Sequence, residues 1–77
     1  MTRPPVRIRA FVRIAADLID VEPSVIIGPT QTPPIVAARR LGMAMAARHG
    51  HPPSVIARVF GRHRQTVSQA IRWAGQP

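Results

Sequence analysis

The 77-residue chain has no cysteine, so it can form no disulfide framework and offers no thiolate, and it is compatible with a reducing cytoplasm. It has no lysine either, so a phosphate-cradling glycine loop with its lysine is missing and nucleotide hydrolysis of that type is excluded. Aromatic residues are limited to Phe11, Phe60 and Trp73, which leaves little for stacking the bases of a single strand. No apolar run approaches the roughly 20 residues that span a bilayer, and no secretory signal pattern is visible. Carboxylates are confined to Asp17, Asp20 and Glu22; from Pro23 onward there is none. With the acids clustered at one place, no serine has a plausible base and orienter beside it. His49, His51 and His63 have no cysteine or carboxylate partners at ligand spacing. The expectation is a soluble, cytoplasmic, nucleoid-associated protein that is not an enzyme and holds neither cofactor nor metal.

What is present is positive charge. Eleven arginines give a net charge of +8, and a carboxylate-free surface carrying arginines favours a polyanion, because each phosphate neutralised releases condensed counterions. Nucleic acid is the leading partner and an anionic membrane the second. The opening segment, RPPVRIRAFVRIAADL, is Arg-rich and amphipathic as an interfacial helix would be. Asp17 and Asp20 follow on the same helix, however, and its apolar residues are the ones a bundle core needs. A membrane is therefore not expected.

Five segments with helical periodicity follow one another. Pro4 and Pro5 suit the start of a first helix of about four turns, whose face is Ile8, Phe11, Val12, Ala15, Leu18 and Ile19. Pro23 opens a short second helix with Val25, Ile26 and Ile27, stopped by Gly28. Residues 28–34, GPTQTPP, form a loop. A third helix begins at Pro33 and Pro34, carries the stripe Ile35, Ala38, Leu41, Gly42 and Met45, and is capped by Gly50. His51-Pro52-Pro53 breaks the chain again. Met43 and Met45 are read as core residues and the histidines as surface residues.

The stretch VIARVFGRHRQTVSQAIRW, residues 55–73, joins helical periodicity to a tight turn and positive charge. Ile56, Ala57 and Phe60 make one apolar stripe, Gly61 interrupts it, and Val67, Ala70, Ile71 and Ala74 resume it. Ala57 permits close approach, Gly61 permits a turn that side chains resist, and Val67 fills the angle between the helices. This is a helix-turn-helix over about residues 54–74. His63, Arg64, Gln65, Ser68, Gln69 and Arg72 lie opposite its apolar side, and Arg and Gln are the types that pair bidentately with guanine and adenine. Arg39 and Arg40, in the first turns of the third helix, add charge where free backbone NH groups already favour anions.

Two blocks resemble the C-terminal DNA-binding domain of the bacterial replication initiator DnaA. Ala38-Arg39-Arg40-Leu41-Gly42-Met43 is similar to that family's ARQIAM, and Phe60-Gly61-Arg62-His63-Arg64-Gln65-Thr66-Val67 to its FGGRDHTTV; the segment from Val12 to Gly28 fits its first helix and the short element after it. The resemblance implies an all-α bundle containing a helix-turn-helix of the Trp-repressor-like kind, one domain over residues 1–77, here stand-alone and diverged. It implies phosphate contacts from Arg39, Arg40 and Thr66 and base reading at the positions of His63, Arg64 and Gln65. The chain departs from the family at all three reading positions, lacks one of the paired glycines, has Arg40 for a glutamine, and has no basic residue in the loop of residues 28–34.

The expected function is double-stranded DNA binding by a small initiator-like regulator of replication or transcription with altered sequence preference. The expected DNA-binding residues are Arg39, Arg40, Arg62, His63, Arg64, Gln65, Thr66 and Gln69, and the expected state is a monomer. The alternative is a protein-interaction module that keeps the fold and binds the replication initiator or its regulators.

Overall fold

The computed structural model describes residues 7–75. It is all-helical, with α1 Ile8–Leu18, α2 Pro23–Ile27, α3 Pro33–Arg48, α4 Pro53–Phe60 and α5 Arg64–Ala74, and no strand among the described residues. The expected start of α1 at Pro4 and Pro5 lies outside those residues.

Proline sets where three of these helices begin. Pro23, Pro33 and Pro53 each occupy the first helical position of their element, where the missing NH is no loss and the ring fixes a helical φ. No side-chain hydrogen bond caps the N-terminus of any described helix, so α2, α3 and α4 start on the backbone restriction of proline and not on a Ser or Asp cap. The helix ends are equally local. At the end of α4, Gly61 takes φ 63°, and the NH of Arg62 reaches back to the carbonyl of Ala57 at 2.9 Å. Gly50 does the same after α3 with φ 94°, while after α1 the left-handed position is filled by Asp20 at φ 56°. In all three places the NH of the residue after the left-handed one bonds a carbonyl five residues earlier: Val21 to Ala16, His51 to Ala46, Arg62 to Ala57.

The central helix is α3, which touches all four others. That position explains its composition. Ala38, Gly42, Met43, Ala44 and Ala46 are buried together, because a helix enclosed on several sides needs small residues around much of its circumference. Of the expected stripe, Ala38 and Gly42 are buried and Ile35 and Met45 pack against the core, whereas Leu41 is corrected, being 38 % exposed; Met43 is fully buried, as expected of a core residue. A Cβ on Gly42 would meet the Phe11 carbonyl at 3.1 Å and both Ala15 Cβ and Phe60 Cζ at 3.2 Å, so this glycine sets how closely α1 and α4 approach α3. The core continues through Phe11, Val12, Ala15 and Ala16 of α1, Ile26 of α2, Ile56, Ala57 and Phe60 of α4, and Val67 and Ala70 of α5. His49 is exposed, as expected of a surface histidine, and His51 is half-buried; their rings flank Phe11, with centroids at 4.9 and 6.4 Å.

α5 packs on α3 and α4 and touches neither α1 nor α2. Its outer face is left clear.

Candidate nucleic-acid interface

Helices α4 and α5 are joined by three residues, Gly61 to His63, and their inner faces meet at Ala57 and Val67, which are buried. The turn leaves α5 beginning at Arg64, with His63 as its extended N-cap residue and no acidic residue in the first turn. The first NH groups of a helix carry partial positive charge, so this end presents donors and positive potential with nothing to neutralise them locally.

With about 100° of rotation per residue, burial of Val67 and Ala70 turns Gln65, Gln69 and Arg72 outward, and all three are exposed. His63 and Arg64 are exposed at the helix start, and Thr66 is half-buried on the flank. Arg40 of α3 is also exposed, and it lines a shallow hollow of about 270 Å³ together with Gln69, Arg72 and Trp73 of α5. The structure thus brings Arg40 and Gln69 together. Beside them lie Arg72, which the helical spacing already placed on this face, and Trp73, 42 % exposed, whose position beside Arg40 depends on how α3 and α5 pack.

Two expected DNA contacts are placed elsewhere. Arg39 is only 3 % exposed. Its Nε donates to the Ile26 carbonyl at 2.6 Å, and one terminal nitrogen donates to the carbonyls of Thr30 at 2.9 Å and Gly28 at 3.2 Å. Arg62 is half-buried and turns the same way, donating to the carbonyls of Gly28, Ile27 and Gly61. The reason lies in α2. A helix of five residues ends in carbonyls that it is too short to satisfy, and here two guanidinium groups from α3 and from the α4–α5 turn converge on that end. Burial, and secondarily the nearby Arg62 charge, hold the Arg39 guanidinium below its ordinary pKa. Among the described residues no buried side-chain nitrogen or oxygen lacks a partner. Arg39 and Arg62 therefore fasten α2 and the loop after it to the helix-turn-helix, and the Arg39 side chain is buried there and not displayed at the surface where a phosphate contact was expected.

Among the described residues there is no cluster of His, Asp or Glu able to hold a metal, and no helix is long and apolar enough to cross a membrane.

A tight glycine turn, a second helix held across the first by Val67, and an exposed acid-free face of Arg and Gln define a helix-turn-helix of the DNA-binding class. The family model of the homeodomain-like domain matches residues 34–76, and the chain belongs to that family. The matched segment is α3, α4 and α5, the three helices that carry the exposed basic face; α1 and α2 are packed onto it from the N-terminal side. No curated protein and no solved structure matches the chain.

Proposed function

We propose that the protein binds duplex DNA by laying the outer face of α5 in the major groove, and that it acts as a small initiator-like regulator of replication or transcription. The observation that carries this reading is the exposed set Gln65, Gln69 and Arg72 on the second helix of a homeodomain-like helix-turn-helix, with no acidic residue in its first turn. Gln65 and Gln69 are one turn apart, a spacing suited to amide readout of adenines, and Arg64 is suited to guanine. His63 completes the reading set. Arg40, Arg72 and Thr66 lie at its margins, where they would set register through phosphates without carrying sequence information.

The resemblance to the DnaA C-terminal domain supports the replication side of this proposal. The altered residues at 63, 64 and 65 support a target site different from that of the initiator.

Paired salt titrations of two variants test the division of labour. Arg64→Ala costs about 1–3 kcal/mol on a selected site and flattens preference there, whereas Arg40→Ala weakens all duplexes alike and reduces the slope of log affinity against log salt by about one. If both variants behave alike on selected and random duplex, base reading by α5 is wrong.

A further inference from the structure

A second surface lies where α1, α2 and α4 meet. These three helices all touch one another, and between them is a groove of about 770 Å³ to which α5 contributes no residue. Arg9 and Arg13 of α1 and Arg58 of α4 line it and are all exposed. Val12, Val59 and Ile27 give it an apolar lining, and Ile27 is 41 % exposed. No carboxylate lines it among the described residues.

Three cations around apolar side chains define the complement. Phosphates gain nothing from an exposed Ile27, so a DNA backbone would use the arginines and leave the apolar part idle. An anionic bilayer engages convex helix faces, whereas this surface is recessed. The adjoining hollow, which shares Arg13 and Pro23 with the groove, also carries Asp17, Asp20 and Glu22, so the carboxylates of any ligand must end at Arg13 and not extend toward that corner. A folded peptide can meet that limit and a continuous anionic surface cannot. A peptide that combines carboxylates with bulky apolar residues uses both parts. Arg9 and Arg13 are one helical turn apart on α1, so they match carboxylates one turn apart on a helix lying along α1, with Arg58 opposite.

We propose that this groove docks an acidic amphipathic helix from a partner protein, its apolar side on Ile27 and Val59 and its carboxylates on Arg9, Arg13 and Arg58. The mode is a helix in a groove with charge setting the orientation. The proposal does not rest on the DNA-binding reading. It gives a DNA-bound molecule a face with which to recruit a second protein while α5 is occupied.

The test is selection of a displayed random-peptide library on the full chain, followed by anisotropy titration of the enriched peptide, fluorescein-labelled. Enriched peptides are expected to carry Asp or Glu among bulky apolar residues at helical spacing, and to gain helicity on binding. Each of Arg9→Gln, Arg13→Gln and Arg58→Gln weakens the labelled peptide up to about fivefold, and the triple variant about a hundredfold. Ile27→Gln weakens it as well. All four positions are exposed, and unchanged thermal unfolding shows that the variants remain folded.

Several results overturn the proposal. No enrichment, enrichment of peptides without acids, or affinity indifferent to these substitutions each removes the site. Loss of about three units of the DNA salt slope in the triple variant, with no peptide selected, makes the groove a phosphate track instead. Binding to phosphatidylglycerol vesicles through the same arginines makes it a membrane surface. Self-association abolished by Arg58→Gln makes the occupant a second copy, with the Asp17, Asp20 and Glu22 corner as its counterpart.

Discussion

Arg39→Met separates a structural arginine from a DNA-contacting one. Methionine approximates the length of the buried stem and removes the guanidinium, leaving the carbonyls of Ile26, Gly28 and Thr30 without this donor. The Ile26 bond is the buried one, and a buried carbonyl left unpaired costs about 1–3 kcal/mol. Gly28 keeps its bond from Arg62, and the other bonds to Gly28 and Thr30 are only part-buried, so water recovers much of their loss. Relief of the dehydration that Arg39 suffers offsets a further part. The expected net loss is about 1–3 kcal/mol, against a total of about 4–11 kcal/mol for a chain of this length. At about 4–8 °C per kcal/mol, the melting temperature falls by about 4–24 °C. Circular dichroism at 222 nm follows the melt, and DNA affinity is then measured well below the lowered midpoint. There the folded Arg39→Met chain binds duplex with unchanged salt slope. The comparison is Arg40→Met, one residue along and exposed, which leaves stability within about 0.5 kcal/mol but lowers the slope by about one. If Arg39→Met melts like the parent while losing DNA affinity and salt slope, the fastening role is refuted and Arg39 is a phosphate contact.

Other substitutions test the packing and the interface. Gly42→Ala forces a methyl against the Phe11 carbonyl, Ala15 and Phe60, and is expected to cost about 1–3 kcal/mol in urea unfolding with an unchanged m value; a neutral result means that α1 is not held where the structure places it. Asp20→Gly relieves a left-handed side chain and removes a negative charge from a helix C-terminus, so it raises stability by about 1 kcal/mol, and a lowered melting temperature contradicts the turn geometry. Gln69→Ala removes an exposed amide from the middle of the outer face and, on the proposed reading, is expected to relax preference at one base position by about 1–3 kcal/mol. An unaltered binding preference places that face outside the groove.

Much of the helix-turn-helix was legible because its determinants are local. Ile56, Ala57, Phe60 and Val67 recur at helical intervals, and Gly61 at φ 63° is a turn requirement that residue type announces. The prolines at 23, 33 and 53 likewise announce helix starts. The site was legible wherever exposure follows from a single helix: Gln65 and Gln69 stand opposite Val67, so the face could be read from spacing alone. It was illegible where tertiary packing decides. Arg39 and Arg40 are neighbours of one type, about 100° apart around the same helix. Which one is buried depends on where the carbonyl end of α2 lands, a contact between residues 13 apart that no periodicity encodes. Leu41 was misplaced on α3 for a related reason: a helix rich in Ala and Gly has no strong apolar side, and being central it buries residues around much of its circumference. The pairing of Phe11 with His49 and His51 also joins two ends of the chain's first and third helices, which spacing cannot connect.

The central claim is that the outer face of α5 reads DNA sequence. Selection of bound sites from random duplex by the full chain, carried out at two salt concentrations, tests it directly, because counterion release changes with salt whereas base preference does not. The account predicts one enriched site at both concentrations, bound about 10³-fold or more tightly than random duplex, with the preference lost in Arg64→Ala and Gln69→Ala. Enrichment of no sequence, with affinity that simply fades as salt rises, contradicts it.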